Sequence, residues 1–168
     1  MSASPLLRAQ LARRLREQTP PQWHEFTNHW IAFNALYGGE LDDGERARVM
    51  STIRKHVSSQ RAVHILNRQA KAIAQILALP PGDMRVEVHD PRFREASRRC
   101  ARLYRSTFGT PQSRLAGVGG TLYQVRCNLI HGSKDPNDSR DRMLVRESLA
   151  ILRDLVPAVE IGMTDEFP

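Results

Sequence analysis

The segment QWHEFTNHWIAFNALY, residues 22–37, decides the fold class. Its large apolar residues Phe26, Trp30, Phe33 and Tyr37 recur at steps of three and four, which places them on one face of an α-helix. Pro20 and Pro21 precede it, and proline fits a first helical turn. Gly38 and Gly39 follow, and glycine stops a helix. A helix with so bulky a face needs other helices to cover it, and the rest of the chain supplies helical periodicity rather than strand alternation.

Working outward, residues 5–18 carry Leu6, Leu7, Leu11 and Leu15 at helical spacing among Arg and Gln, which reads as a helix rather than a secretory signal. Asp42 and Asp43 open a helix over about 43–57 with Val49, Ile53 and Val57 on one side. Ser58 or Ser59 caps another over 60–79, built on Val63, Leu66, Ile73 and Leu77. After the turn cluster LPPGD, the stretch MRVEVH (84–89) alternates like a strand but has no partner strand, so it is expected to be a loop. Asp90 and Pro91 start a helix that Gly109 ends, with Phe93, Cys100, Leu103 and Tyr104 as its stripe. Pro111 leads into a helix over 112–131. Asp138 or Ser139 caps a last one over about 139–158, and residues 160–168 are expected to fray. The expectation is one all-α domain over residues 1–168, a compact bundle of six or seven helices.

Composition narrows the function classes. With 40% hydrophobic residues and no bilayer-length apolar run, the chain reads as a globular protein without a membrane span. Cys100 and Cys127 lie inside apolar stripes and read as small buried hydrophobes. Without CxxC or HExxH there is no local metal signature and no metal or other cofactor is expected. A reducing cytoplasm fits. The net charge is +7, from 22 arginines and 3 lysines against 18 acidic residues. Arginine's planar fork suits phosphate, so a polyanionic partner such as RNA stands beside the plainer reading of a solvated basic surface.

The helix over 112–131 closes on RCNLIHG, residues 126–132. Gly132 is the helix stop and His131 lies in the last turn, where the carbonyl end of the helix favours a protonated imidazole. Asn128 and His131, three apart, share a face. Arg126 is five residues from His131, an angular gap that either the long side chain or a helix distorted by its glycines would have to close. Leu122, Val125, Leu129 and Ile130 would supply the core face, directing the polar set outward. Gly117, Gly119 and Gly120 imply a kink or the close approach of another backbone. Beside an outward polar set, they point to a homodimer interface that includes this helix.

An arginine, four intervening residues and a histidine at the end of a helix resemble the Rx4–6H motif of the HEPN superfamily. YQVRCNLIHGSK (123–134) resembles the Arg-x-Asn-Leu-x-His-Gly form of Apea-like HEPN domains. WIAFNALYG (30–38) is similar to their upstream aromatic segment, and DSRDRMLVRESLAILRDLV (138–156) to the helix that packs after the motif. The resemblance implies a metal-independent endoribonuclease acting as a dimer, of the kind found among toxins and antiviral defence effectors, with an antitoxin or defence protein as a further partner. It implies Arg126 and His131 as the catalytic pair and Asn128 as a polar helper. Cys127 departs from the polar residue that often follows the arginine. Ser133 stands where a nucleotide-modified tyrosine occurs in some toxin pairs, which argues against that mode of neutralisation. The alternative is a non-catalytic RNA- or nucleotide-binding module or a dimeric scaffold.

The chemistry is coherent in its own right. RNA is cleaved without metal when its 2′-OH attacks the adjacent phosphate, which needs a base, an acid and positive charge on the phosphorane. One protomer offers one histidine and one arginine, and a twofold dimer offers two of each. Secondary candidates are Lys134 and the arginines Arg98, Arg99, Arg102 and Arg105 as a phosphate-tracking face, against a solvated face. Asn34 is read as a buried amide, with support of the Arg126 site as its functional alternative.

Overall fold

The structure, a computed structural model, describes residues 20–38, 44–132 and 134–165. Among them are seven α-helices and no strand: α1 Pro21–Tyr37, α2 Glu45–His56, α3 Ser59–Arg68, α4 Ala70–Ala78, α5 Glu95–Arg105, α6 Pro111–Ile130 and α7 Ser139–Asp165. A 3-10 turn, Pro91–Arg94, precedes α5. The expected helix over 5–18, the stop at Gly39 and the cap at Asp42 or Asp43 lie outside the described residues.

Local chemistry sets most boundaries. Pro21 occupies the first turn of α1, and Gly38 closes it by donating its N–H to the Asn34 carbonyl at 2.8 Å. The hydroxyl of Ser58 accepts from Arg61 N at the start of α3, that of Thr110 from Ser113 N at α6, and the carboxylate of Asp138 from Asp141 N at α7. Each satisfies one of the orphan amides of a first turn. MRVEVH forms turns, as expected.

Helix α6 is the axis of the bundle. It packs against α5, α2 and α3, while α1 and α4 lie mainly on α7, and α7 closes the core from the other side. From Leu115 to Asn128 nearly every side chain of α6 is buried. The aromatic face of α1 behaves as its periodicity predicts: Trp23, Phe26, Trp30, Phe33 and Tyr37 all join the common core. Trp30 meets Phe33 edge-on at 5.5 Å between centroids, and Phe33 meets Tyr37 likewise at 5.2 Å, a geometry favoured by the aromatic quadrupole.

Several expectations need correction. The segment 60–79 is two helices, because the chain breaks at Gln69, whose amide donates to Asp154 at 2.5 Å. Val63 faces solvent, and Ala62 and Ile65 occupy the core instead. The final helix does not fray at 160. It runs through Pro157 to Asp165, because Ala158, Val159 and Met163 remain on the core and Gly162 lies against the His56 carbonyl at the end of α2. Only 166–168 of the expected tail lie outside the described residues.

The glycines of α6 serve the protomer's own packing. A Cβ at Gly117 would lie 2.6 Å from the Cys100 carbonyl oxygen, one at Gly119 2.3 Å from Ile53 Cδ1, and one at Gly120 2.6 Å from Cys100 Sγ. These positions let α5 and α2 approach the α6 backbone. They leave no glycine surface for a second copy, so the dimer expectation loses the argument first made for it. Gly117→Ala adds helix propensity worth about 1 kcal/mol, but overpacking against backbone costs about 1–3 kcal/mol. A net loss of stability in chemical denaturation, with no gain in midpoint, is the expected outcome.

Candidate functional site at the end of α6

The left-handed backbone at Gly132, with φ of 66°, ends α6. His131 N donates to the Cys127 carbonyl at 3.0 Å and Gly132 N to that of Leu129 at 3.2 Å. These bonds take up carbonyls that a helix end otherwise leaves open. The expected stop at Gly132 holds, but the helix ends at Ile130 and His131 is its cap residue. The side chains around it divide into a buried structural set and an accessible set.

Asn128 belongs to the first set. It is buried, not directed outward. Its amide nitrogen donates to the Gly82 carbonyl at 2.8 Å, and its oxygen accepts from Gln124 at 3.0 Å. Gln124 in turn accepts from Arg46, whose guanidinium also lies 5.2 Å from the Tyr123 ring centroid. The result is a continuous polar chain, Arg46–Gln124–Asn128–Gly82, that ties α2 and the 79–90 connection to α6. Both its amide nitrogen and its oxygen are engaged, so Asn128 pins a loop instead of facing a substrate. Lys134 is likewise buried and pairs with Asp141, whose other oxygen accepts from Asp135 N at 2.9 Å. It fastens the turn after Gly132 to the start of α7 and has no free ammonium for phosphate.

Arg126 is half-buried. Its Nη1 donates to Glu45 Oε2 at 3.3 Å, and the other Glu45 oxygen accepts from the Tyr37 hydroxyl at 2.7 Å. That hydroxyl accepts from Trp30 Nε1 at 3.0 Å. The aromatic face of α1 thus ends in a polar relay that holds the motif arginine. Burial, reinforced by the neighbouring Glu45 carboxylate, pushes the Tyr37 phenol well above its ordinary value. Burial and a hydrogen bond with Cys127 push Tyr123 the same way.

Arg126 also lines a cavity of about 80 Å³ with Phe26, Thr27, Trp30, Ile31, Asn34, Leu129 and Ile130. Asn34 is exposed, not a buried amide, and shares this cavity with Arg126. Ile130, expected on the core face, is 54% exposed, and Ile31 is 63% exposed. Both line the cavity. His131 is exposed beyond the last turn and does not line the cavity. On an ideal helix it points about 140° from Arg126. The structure therefore brings Arg126 and Asn34 together and leaves His131 on the neighbouring surface.

The arginines of α5 have ordinary surroundings. Arg98, Arg99 and Arg102 are exposed, Arg99 lies 3.9 Å from Glu95, and Arg105 donates to the Leu77 carbonyl at the end of α4. Cys100 and Cys127 are buried free thiols. Among the described residues, no three His, Cys, Asp or Glu side chains gather in a metal-holding group. None of these helices is long and apolar enough to cross a membrane. Sequence reasoning missed Glu45, Tyr37 as a hydrogen-bonding group, and Gln124. The Gln124–Asn128 pair carried a usable signal, since two amides four apart on a helix can bond to each other. Glu45 carried none.

Compared with protein-family models, curated proteins and solved structures, the chain matches none of them.

Two outcomes follow from the geometry. Asn128→Ala strands the Gly82 carbonyl and the Gln124 amide, and an unsatisfied buried group costs about 1–3 kcal/mol. Its effect should appear as lost stability in denaturant titration. The raised Tyr37 pKa means that above pH about 10 the unfolded chain releases a proton that the folded chain keeps. Stability should therefore fall as pH rises past that point. Tyr37→Phe should flatten the fall, as read by denaturation midpoints between pH 8 and 11.

Proposed function

We propose that this protein is a HEPN-type endoribonuclease that cleaves RNA without metal, acting as a homodimer in a toxin or antiviral defence role. The observation that carries this reading is that one helix end bears both a held, half-buried arginine and an exposed histidine. Arg126 supplies fixed positive charge for a phosphorane, and His131 supplies an imidazole able to take or give a proton near neutral pH. The resemblance of RCNLIHG and WIAFNALYG to HEPN segments supports the same reading. An antitoxin or defence protein is the partner it implies.

A single protomer is chemically incomplete, because one histidine cannot serve as both base and acid in the same step. A second copy supplies the missing group. The exposed apolar pair Ile31 and Ile130, beside Arg126, is a surface that self-association would cover. This support differs from the glycine argument, which the packing of α6 removes.

A second reading, a non-catalytic RNA-binding or scaffold module, is favoured by one observation. Asn128, the implied polar helper, is consumed by structural bonds, and Arg126 is already paired.

One experiment separates the two readings. Cellular RNA is incubated in EDTA with wild type, His131→Ala and Arg126→Ala, each checked for dimerisation by light scattering. The nuclease reading expects a dimer that cleaves with chelator present, and losses of about 10²–10⁴ in rate for each variant. RNA binding without cleavage supports the module. Full activity in either variant removes the motif from the chemistry.

A further inference from the structure

Glu45 is the group the motif does not contain and the structure places against it. It lies in the first turn of α2, far from RCNLIHG in sequence, and reaches Arg126 Nη1 at 3.3 Å. Its second oxygen is fixed by the Tyr37 hydroxyl at 2.7 Å, and that hydroxyl is fixed by the buried indole of Trp30 at 3.0 Å. Both members of the Glu45–Arg126 pair are largely shielded, with side-chain exposures of 21% and 23%. A carboxylate tied down on one side by the aromatic core holds one nitrogen of the guanidinium on the other. Arg126 Nε is buried without a hydrogen-bond partner, while the side chain as a whole keeps 23% exposure and lines the cavity with Asn34. One nitrogen of the guanidinium is therefore held by protein and part of the side chain stays open beside it.

We propose that Glu45 is a positioning residue that fixes the Arg126 guanidinium for contact with an RNA phosphate. This rests on the nuclease reading above. Arginine recognises phosphate through parallel N–H donors in a fixed plane, and a long side chain free to rotate presents that plane only part of the time. Holding Nη1 restrains the rotation while the exposed part of the side chain stays open to an anion. The carboxylate also balances the buried charge of the arginine until RNA arrives. Neutralising Glu45 therefore removes orientation without removing attraction.

The test uses the full-length protein with wild type, Glu45→Gln and Glu45→Asp. Steady-state RNA cleavage is measured with nitrogen-15 NMR of the arginine side chains. In Glu45→Gln, which keeps an acceptor for Tyr37, kcat should fall about tenfold or more with KM unchanged or lowered, because a small loss of alignment weighs on the reaction step. Glu45→Asp keeps the charge on a shorter arm and should recover part of kcat. The Arg126 Nη signals should be resolved in wild type, where the salt bridge slows guanidinium rotation, and should merge in Glu45→Gln. Unchanged kcat in Glu45→Gln overturns the proposal, as do Nη signals that stay resolved. If wild type does not cleave RNA but its Arg126 signals are resolved and merge in Glu45→Gln, the nuclease reading fails while the positioning role stands.

Discussion

Helix α6 is buried on nearly every face, and the rest of the structure accommodates that constraint. A helix surrounded by neighbours has to be thin where they cross it. Gly117, Gly119 and Gly120 make it thin against α5 and α2, with would-be Cβ atoms inside contact distance of Cys100 and Ile53. The helix propensity given up is offset by close packing along the crossing, where dispersion contacts are densest. Burial on all sides also means that polar side chains on α6 have no water to turn to. Thr121 bonds back to the Gly117 carbonyl, and Gln124 and Asn128 bond to each other and to groups brought in by α2 and the 79–90 connection.

That requirement divides the polar residues near the helix end. Those whose Cα positions face the interior, Gln124 and Asn128, become internal ties because an unpaired buried amide is costly. Arg126 sits at the boundary between core and solvent, where a charge needs a partner but retains access. Glu45 provides the partner, anchored through Tyr37 to Trp30. His131 lies past the last intrahelical turn and is free of this pressure. The site is thus a half-buried cation near an accessible imidazole, with a small cavity opening beside the cation.

The basic surface has a comparable division of labour. Arg105 and Arg140 donate to carbonyls at the end of α4, and Arg114 to the Tyr104 carbonyl at the end of α5. These arginines finish helices whose last carbonyls would lack partners. Others, including Arg98 and Arg102, remain exposed charge. Net charge by itself therefore overstates the surface available to a polyanion.

The sequence by itself determined the helical class, a cap at Ser58 or Ser59 and another at Asp138 or Ser139, the stop at Gly132 and the apolar face of α1. These rest on periodicity and on bonds between residues a few positions apart. It also placed Arg126, Asn128 and His131 at the end of α6 and Lys134 just after it. The tertiary structure alone decided which of them stay accessible. Asn128 and Lys134 were taken inward by Gly82 and Asp141, and Asn34 was left outside. The long C-terminal helix persisted past 160 because Val159 and Met163 found core on which to rest. Glu45 had no sequence signal, since its meeting with Arg126 spans 81 positions and depends on the angle at which α2 crosses α6. Local bonding can be read along a chain. Burial, and the partner that each buried polar group must find, exist only once the helices have packed.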